Sequence, residues 1–193
     1  MDTVVIALKA EAQLLLKAEN AHFKDSIGNM GRLWETERGH ICITGVGPVN
    51  TRKSLNAYLR QYHPDRLINL GAAGNLGLPI KPLTQIQPHR IIDVNSGYLF
   101  YQEAVETRYS LLTTDKPVTT KSESLSLQQK FGESFVDMEA AQMVFCAMAY
   151  HIPWIVWKTI SDNAGCHTVS DYKSRLPQIA EAIASKAGEI WKR

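Results

Sequence analysis

Three acids in this sequence stand just beyond three apolar runs. Glu11 follows Val4-Val5-Ile6-Ala7-Leu8, Glu139 follows Phe135-Val136-Asp137-Met138, and Asp162 follows the long run from Trp154 to Ser161. If those runs are parallel strands, the ligand crevice lies beyond their carboxyl ends, and the three side chains meet there. Each acid also has a structural explanation when taken singly. An acid in the first turn of a helix faces the positive end of the dipole, and an aspartate can cap a turn. Taken together they fit hydrolysis of a glycosidic bond. One carboxylate must accept a proton from water, one must protonate the departing base, and one must hold sugar hydroxyls while positive charge develops on the ring.

Two glycine segments add backbone to such a site. Gly45-Val46-Gly47-Pro48-Val49-Asn50 follows an apolar run and opens a helical stretch, which would turn N–H groups and a positive dipole end towards a ligand. It fails as a dinucleotide fingerprint, because Asn50 takes the place of the third glycine. Gly71-Ala72-Ala73-Gly74-Asn75-Leu76-Gly77 follows Leu67-Ile68-Asn69-Leu70. Its small side chains would let the backbone approach a flat or sugar-like ligand closely, and it reads equally as a tight turn needing positive φ. His22, His40, His63, His89, His151 and His167 show no ligand spacing, so neither a metal nor a cofactor is expected.

The elements that must position these groups follow from periodicity. Short β-branched runs alternate with stretches of helical period, the pattern of an α/β domain whose mainly parallel strands are covered on both faces. Strands are expected at about residues 3–8, 40–44, 66–70, 85–94, 109–113, 134–138 and 154–160. Helices are expected at about 10–19, 49–61, 139–150 and 171–192, the last presenting Leu176, Ile179, Ile183 and Ile190 on one face with Ser170 or Asp171 as its cap. Periodicity is weakest between Leu76 and Gln129, where Pro79, Pro82, Pro88 and Pro117 interrupt it. With 193 residues, 45% of them hydrophobic, and no linker or repeat, the chain reads as one domain spanning 1–193. Its 21 basic and 19 acidic residues are scattered, which gives no footprint for nucleic acid or an anionic membrane. Cys42, Cys146 and Cys166 are odd in number and far apart, which argues against disulfides and for a reducing cytoplasm. The apolar run from Met1 to Leu8 is too short to span a bilayer and lacks the features of an export signal.

Four segments together resemble the nucleoside phosphorylase superfamily, and within it the 5′-methylthioadenosine/S-adenosylhomocysteine nucleosidases. They are Val5 to Glu11, Thr44 to Asn50, Ile68 to Gly74, and Val136-Asp137-Met138-Glu139-Ala140 continuing to Ile160-Ser161-Asp162. The Asp-Met-Glu-Ala segment followed by Ile-Ser-Asp is the specific part. The resemblance implies a three-layer αβα fold with a central mixed, mainly parallel sheet. It also implies that Glu11 activates the attacking water, Asp162 protonates the purine N7, and Glu139 binds the ribose 2′- and 3′-hydroxyls. Met138 would pack beneath the sugar, Ala73 and Gly74 would line the base, and Gly45, Ala72, Pro117 and Val118 would complete the walls. For this chemistry Asp162 must carry a proton while Glu11 and Glu139 stay ionised, and neither metal nor cofactor is needed.

The same resemblance bears on water against phosphate. Phosphorylases of the superfamily hold their dianion with a Gly-Asp-Pro segment and a following arginine, where this chain has Ala7-Leu8-Lys9-Ala10-Glu11. They also use an arginine and a serine where this chain has Asn69 and Ala72. A carboxylate in place of cations favours water, with Lys9 as the one residue that argues the other way. Between Gly77 and Leu111 the chain is shorter than the family's usual course, so a helix and part of the sheet are expected to be missing. Pro117 stands where an aromatic stacks on the base, and near Thr168 to Tyr172, where an aromatic covers the 5′-substituent, the sequence offers Val169 and Ser170. Those departures leave the nucleoside open, from methylthioadenosine to a futalosine-like or inosine-like substrate. Relatives complete the entrance with a second subunit, and Tyr150, Trp154, Trp157 and Trp191 would supply aromatic surface for a homodimer or else belong to the core. A hydrolase, a phosphorylase and a nucleoside-binding protein without activity all remain open on sequence; the trio of acids favours the first.

Overall fold

The structure is a computed structural model that describes residues 1–103 and 105–191. Its elements are β1 (Asp2–Ile6), α1 (Lys9–Ala18), β2 (His22–Ile27), β3 (Gly31–Glu35), β4 (Gly39–Ile43), α2 (Pro48–Leu59), β5 (Arg66–Leu76), β6 (Gln85–Ile86), β7 (Arg90–Asp93), β8 (Leu99–Tyr101), β9 (Ser110–Thr113), α3 (Lys121–Phe131), β10 (Ser134–Asp137), α4 (Ala140–Ala149), β11 (Trp154–Asp162) and α5 (Thr168–Ile190). One sheet runs β2-β3-β4-β1-β5-β10-β9-β7-β8, and β11 pairs with both β5 and β6. The pairs of β1 with β4 and β5, β5 with β11, and β9 with β7 and β10 are parallel; β5 with β10, β11 with β6, and the β2-β3-β4 and β7-β8 pairs are antiparallel. This is the expected mixed sheet with helices on both faces.

Alternation along β1 shows how the layers form. Val4 and Ile6 point to one face and join Leu15 of α1, Ile41, Ile68, Ile179 and Ile183 of α5. Val5 points to the other face and joins Leu55, Tyr58 and Leu59 of α2 with Met143 and Val144 of α4. In α1 the residues Ala12, Leu15 and Leu16 recur at helical spacing and are buried, with Glu11 in the first turn and Lys17 in the last, each suited to its end of the dipole. Pro48 opens α2 behind Gly47, whose φ of 91° places it where a side chain would be strained.

Several expectations change. The segment at 71–77 is neither loop nor tight turn, because β5 runs on to Leu76 and only Gly77 has positive φ. The expected strand at 85–94 is two strands, β6 and β7, divided around Pro88, whose ring cannot donate to a ladder. The hairpin of β2 and β3, strand β8 and helix α3 were not expected at all. The last helix begins at Thr168 with His167 at its N-cap, so neither Ser170 nor Asp171 caps it; Lys192, its expected end, lies outside the described residues. Ile179 and Ile183 are buried on its inner face. The rings offered as dimer surface are partly buried: Tyr150 and Trp154 pack against one apolar cluster, Trp157 and Trp191 against the other. Between Gly77 and Ser110 the described residues form three short strands and no helix. No described helix is long and apolar enough to cross a membrane.

Candidate active site

The sheet opens at its centre. One edge of β5 pairs with β11 from Leu67 to Gly74, while the other edge pairs with β1 only as far as Asn69 and with β10 only from Gly74. Leu70, Gly71, Ala72 and Ala73 therefore have no strand on that side, and a cavity of about 270 Å³ occupies the gap. Its walls include Glu11, Gly71, Ala72, Ala73, Gly74, Pro117, Val118, Met138, Glu139, Lys158, Asp162 and Tyr172. The loss of a neighbouring strand, together with the small side chains of β5, is what makes room for a ligand against the backbone.

Glu11 reaches the cavity from the first turn of α1 and is 4% exposed. Its Oε1 accepts a hydrogen bond from the Tyr172 hydroxyl at 3.1 Å, while Oε2 is buried without a hydrogen-bond partner. Burial pushes the carboxyl above its ordinary range, with lesser opposition from the Lys158 charge, the Tyr172 hydroxyl and the backbone at Leu8 and Ala72. A carboxylate so placed has a raised affinity for protons, as a base that activates water requires.

Asp137, Glu139 and Lys158 form a second cluster. Asp137 Oδ2 accepts the Ala140 N–H at 2.9 Å and pairs with Lys158 Nζ at 2.8 Å, and its Oδ1 accepts the Thr113 hydroxyl at 2.7 Å. Thr113 in turn accepts the Ala141 N–H at 3.0 Å. Two orphan donors at the start of α4 are thus satisfied from outside the helix, and Glu139, which sits at the N-cap, is released from capping. Its Oε1 instead accepts the Gly47 N–H at 2.8 Å from the start of α2. Burial, then the neighbouring Asp137 charge, push Glu139 up to about 7, against the pull of Lys158 and the Gly47 N–H. Lys158 and Asp137 have almost no exposed side-chain surface, so the ammonium stands as a buried charge among Glu11, Asp137 and Glu139.

Asp162 ends β11 at a register shift between Ile160 and Asp162. A bulge of this kind turns a side chain that would otherwise follow the pleat. Oδ1 accepts from the Ala164 N–H at 2.8 Å and the Thr168 hydroxyl at 3.0 Å. Oδ2 lies 2.5 Å from Ser161 Oγ, which also lies 3.2 Å from the Ala73 carbonyl. Ser161 has a single hydroxyl proton.

Of the residues singled out in the sequence, Glu11, Ala72, Ala73, Gly74, Pro117, Val118, Met138, Glu139 and Asp162 line this one cavity. Gly45 does not. Its N–H is held by the Ala7 carbonyl at 3.0 Å, and the neighbouring Val46 forms the wall in its place. The N–H of Gly47, expected to face a ligand, is taken by Glu139. Lys9, the cation that argued for phosphate, places its ammonium over the Trp34 ring. Three residues were missed. Lys158 lay in an apolar strand without a marker, although a charge inside such a run is itself a signal; Asp137 was read only as part of a motif; and Tyr172 was passed over for Val169 and Ser170, so the segment does bring an aromatic to the cavity. Among the described residues no group of three His, Cys, Asp or Glu side chains is arranged to hold a metal.

Comparison with known proteins agrees with this geometry. Residues 108–190 match a model of the phosphorylase superfamily. The 5′-methylthioadenosine/S-adenosylhomocysteine nucleosidase of Buchnera aphidicola is 23% identical over 88% of this chain and 81% of its own length, and that of Bacillus thuringiensis is 24% identical over 92% of each. Among solved structures, the Neisseria meningitidis nucleosidase in complex with methylthio-immucillin-A superimposes with a TM-score of 0.86 at 20% identity, covering 98% of this chain and 97% of that one. The futalosine hydrolase of Helicobacter pylori gives 0.82 at 16%, covering 95% and 94%. The chain thus has the phosphorylase-superfamily fold, and the part of it that carries Asp137, Glu139, Lys158 and Asp162 matches that superfamily in sequence. Over the greater part of the chain the similarity is to nucleosidases.

Proposed function

We propose that the protein is a nucleosidase that hydrolyses the N-glycosidic bond of a purine-type nucleoside to free base and a ribose derivative. The observation that carries the reading is the convergence of Glu11, Glu139 and Asp162 on one cavity, with Glu11 Oε2 buried and unpartnered there. Glu139 holds the ribose diol through charge-assisted hydrogen bonds. Protonated Asp162 gives its proton to the base as the glycosidic bond breaks, so the pair of bonding electrons leaves on a neutral leaving group. Glu11 takes a proton from the water that attacks the cationic sugar carbon, and Glu11 and Glu139 stabilise that cation electrostatically. Met138 lies where it can support the sugar, and Ala73, Gly74, Pro117 and Val118 form the apolar walls for the base.

Water is the nucleophile in this reading because the site is poor in free cations. Among the described residues Lys158 is the one cation of the cavity wall, and it is already paired with Asp137 at 2.8 Å. Asn69 directs its amide at the Val5 carbonyl at 3.2 Å. Base release from a panel of purine ribonucleosides, including 5′-methylthioadenosine and inosine, should proceed equally with and without phosphate. Activity that appears only with phosphate and yields ribose 1-phosphate would make the protein a phosphorylase. The working unit in this reading is a homodimer, and the three free cysteines suit a reducing cytoplasm.

A further inference from the structure

We propose that Tyr172 is a positioning residue for the water-activating carboxylate, its phenol deciding which oxygen of Glu11 is left for water. The proposal rests on the hydrolase reading above. Thr168 and Tyr172 lie one turn apart on the first part of α5, both at the cavity wall, and each hydroxyl bonds one of the two acids assigned to proton transfer: Thr168 to Asp162 Oδ1 at 3.0 Å and Tyr172 to Glu11 Oε1 at 3.1 Å. The helix is held at this height by Arg175, which donates to the Ser161 carbonyl at 2.6 Å and pairs with Asp171 at 3.2 Å. A carboxylate with two equivalent free oxygens can rotate and present either to a water. With Oε1 occupied, Oε2 alone is left, and it is buried and unpartnered at the cavity. Orientation of this kind is worth a large factor in rate, because the attacking oxygen must lie within about 3–3.5 Å of the reacting carbon and on the correct line.

Burial pushes the Tyr172 phenol well above its ordinary range, so it remains a donor across the working range of pH. The groups that face Glu11 are Lys158 on β11, Tyr172 on α5 and Glu139 at the start of α4; Lys158 and Tyr172 favour its charged form, and burial opposes it. Removing only the hydroxyl therefore leaves burial less opposed, and Glu11 keeps its proton to higher pH. Tyr172→Phe preserves the ring that packs at the cavity wall, so shape is held while the donor is lost.

The test compares parent, Tyr172→Phe and Glu11→Gln, the last serving to assign the Glu11 carboxyl signal in carbon-13 glutamate-labelled protein. Expected for Tyr172→Phe are an unchanged melting temperature, a Glu11 titration moved to higher pH, and a fall of roughly tenfold in kcat on 5′-methylthioadenosine with KM nearly unchanged, the size expected for one lost hydrogen bond to a charged group. The acid limb of its kcat/KM profile should move up in pH with the titration. An unmoved titration and limb overturn the role of Tyr172, as does a loss confined to KM, which would make the phenol a substrate contact. A parent that releases no base from any nucleoside, while the Glu11 titration still moves in Tyr172→Phe, brings down the hydrolase reading and upholds the contact, so the two failures are distinct.

Discussion

Glu139 shows how a residue can serve a site at the expense of the fold. Buried just past the end of a strand beside the Asp137 carboxylate, it has its pKa pushed up from the ordinary carboxylate range to about 7. In the unfolded chain it ionises at its ordinary value. As pH climbs from that value towards about 7, the unfolded state releases a proton that the folded state keeps, so folding stability falls across this window and the penalty persists above it. Glu139→Gln removes the penalty. The variant should melt like the parent in acid and at a higher temperature than the parent above neutrality. Catalysis should move the other way, because an ionised carboxylate accepts from both ribose hydroxyls and a protonated one cannot. The parent's KM for ribonucleosides should therefore rise as pH falls through about 7, whereas Glu139→Gln should turn over ribosides poorly at every pH. Melting curves and initial rates over the same pH series check both; equal riboside turnover would remove the role. At this scale the sequence revealed acids that follow strands, since a carboxylate after an apolar run is conspicuous. Lys158 and Tyr172 went unread, because the significance of either lies in a partner more than 10 residues away: Asp137 for one, Glu11 for the other.

The element that organises the site is β5, which serves β1, β11 and β10 in turn along its length. The sequence left the glycine segment of β5 open between a close backbone approach to a ligand and a tight turn; the strand runs straight through it, and Gly74 keeps space for other side chains. A Cβ on Gly74 would stand 3.0 Å from Asp162 Oδ1, 3.1 Å from the Ala164 Cβ and 3.3 Å from Val136 Cγ1. Gly74→Ala should therefore displace the Asp162 carboxyl by a few tenths of an ångström and cost about tenfold or more in base release, since proton transfer is sensitive to such misplacement. The overpacking should cost about 1–3 kcal/mol of stability. Gly188→Ala is the control: a Cβ there, within α5, meets nothing, and the change should raise the melting temperature without touching turnover. The other misread elements share one cause. Residues of β2 are exposed from His22 to Ser26, and α3 buries only Ser124, so neither carries the apolar period on which the reading relied. For α3 a different signal was present: Thr120 and Glu123 form a capping box, with Thr120 accepting the Glu123 N–H at 3.2 Å and Glu123 accepting the Thr120 N–H at 3.0 Å. Where strands and helices pack on both faces, as in β1, β4, α1, α2 and α4, sequence period and structure agree within a few residues.

Over the whole molecule, some large apolar side chains are left exposed by the core. Tyr98 lies 6.1 Å from the Phe145 ring of α4, tilted by 39°, and the Arg52 guanidinium of α2 lies 5.0 Å from the same ring; Leu99 and Tyr101 of β8 are also exposed but alternate with buried Phe100, so they stand on the other face of the sheet, where Tyr101 lines a hollow with Trp157 and Lys186. Val49 of α2 is 63% exposed, and Val46, just before that helix, is 40% exposed while also lining the cavity. A surface of this composition, with aromatic rings and an arginine, is typical of the centre of a protein interface. A standard interface buries about 800 Å² per partner, which is under a tenth of the 9590 Å² that this chain exposes. The Tyr150, Trp154, Trp157 and Trp191 rings are partly buried against the core, so the surface at Tyr98, Phe145, Arg52 and Val49 is the first to test for the homodimer proposed above. Light scattering at micromolar concentration should give twice the chain mass of 21.6 kDa. If the proposed homodimer uses this surface, Val49→Glu should shift the protein towards monomer, because a carboxylate buried without a partner costs several kcal/mol, and should lower turnover as well by uncovering the cavity mouth at Val46. A parent that is monomeric at micromolar concentration, or a Val49→Glu variant that stays dimeric with full turnover, would remove this flank from the working enzyme.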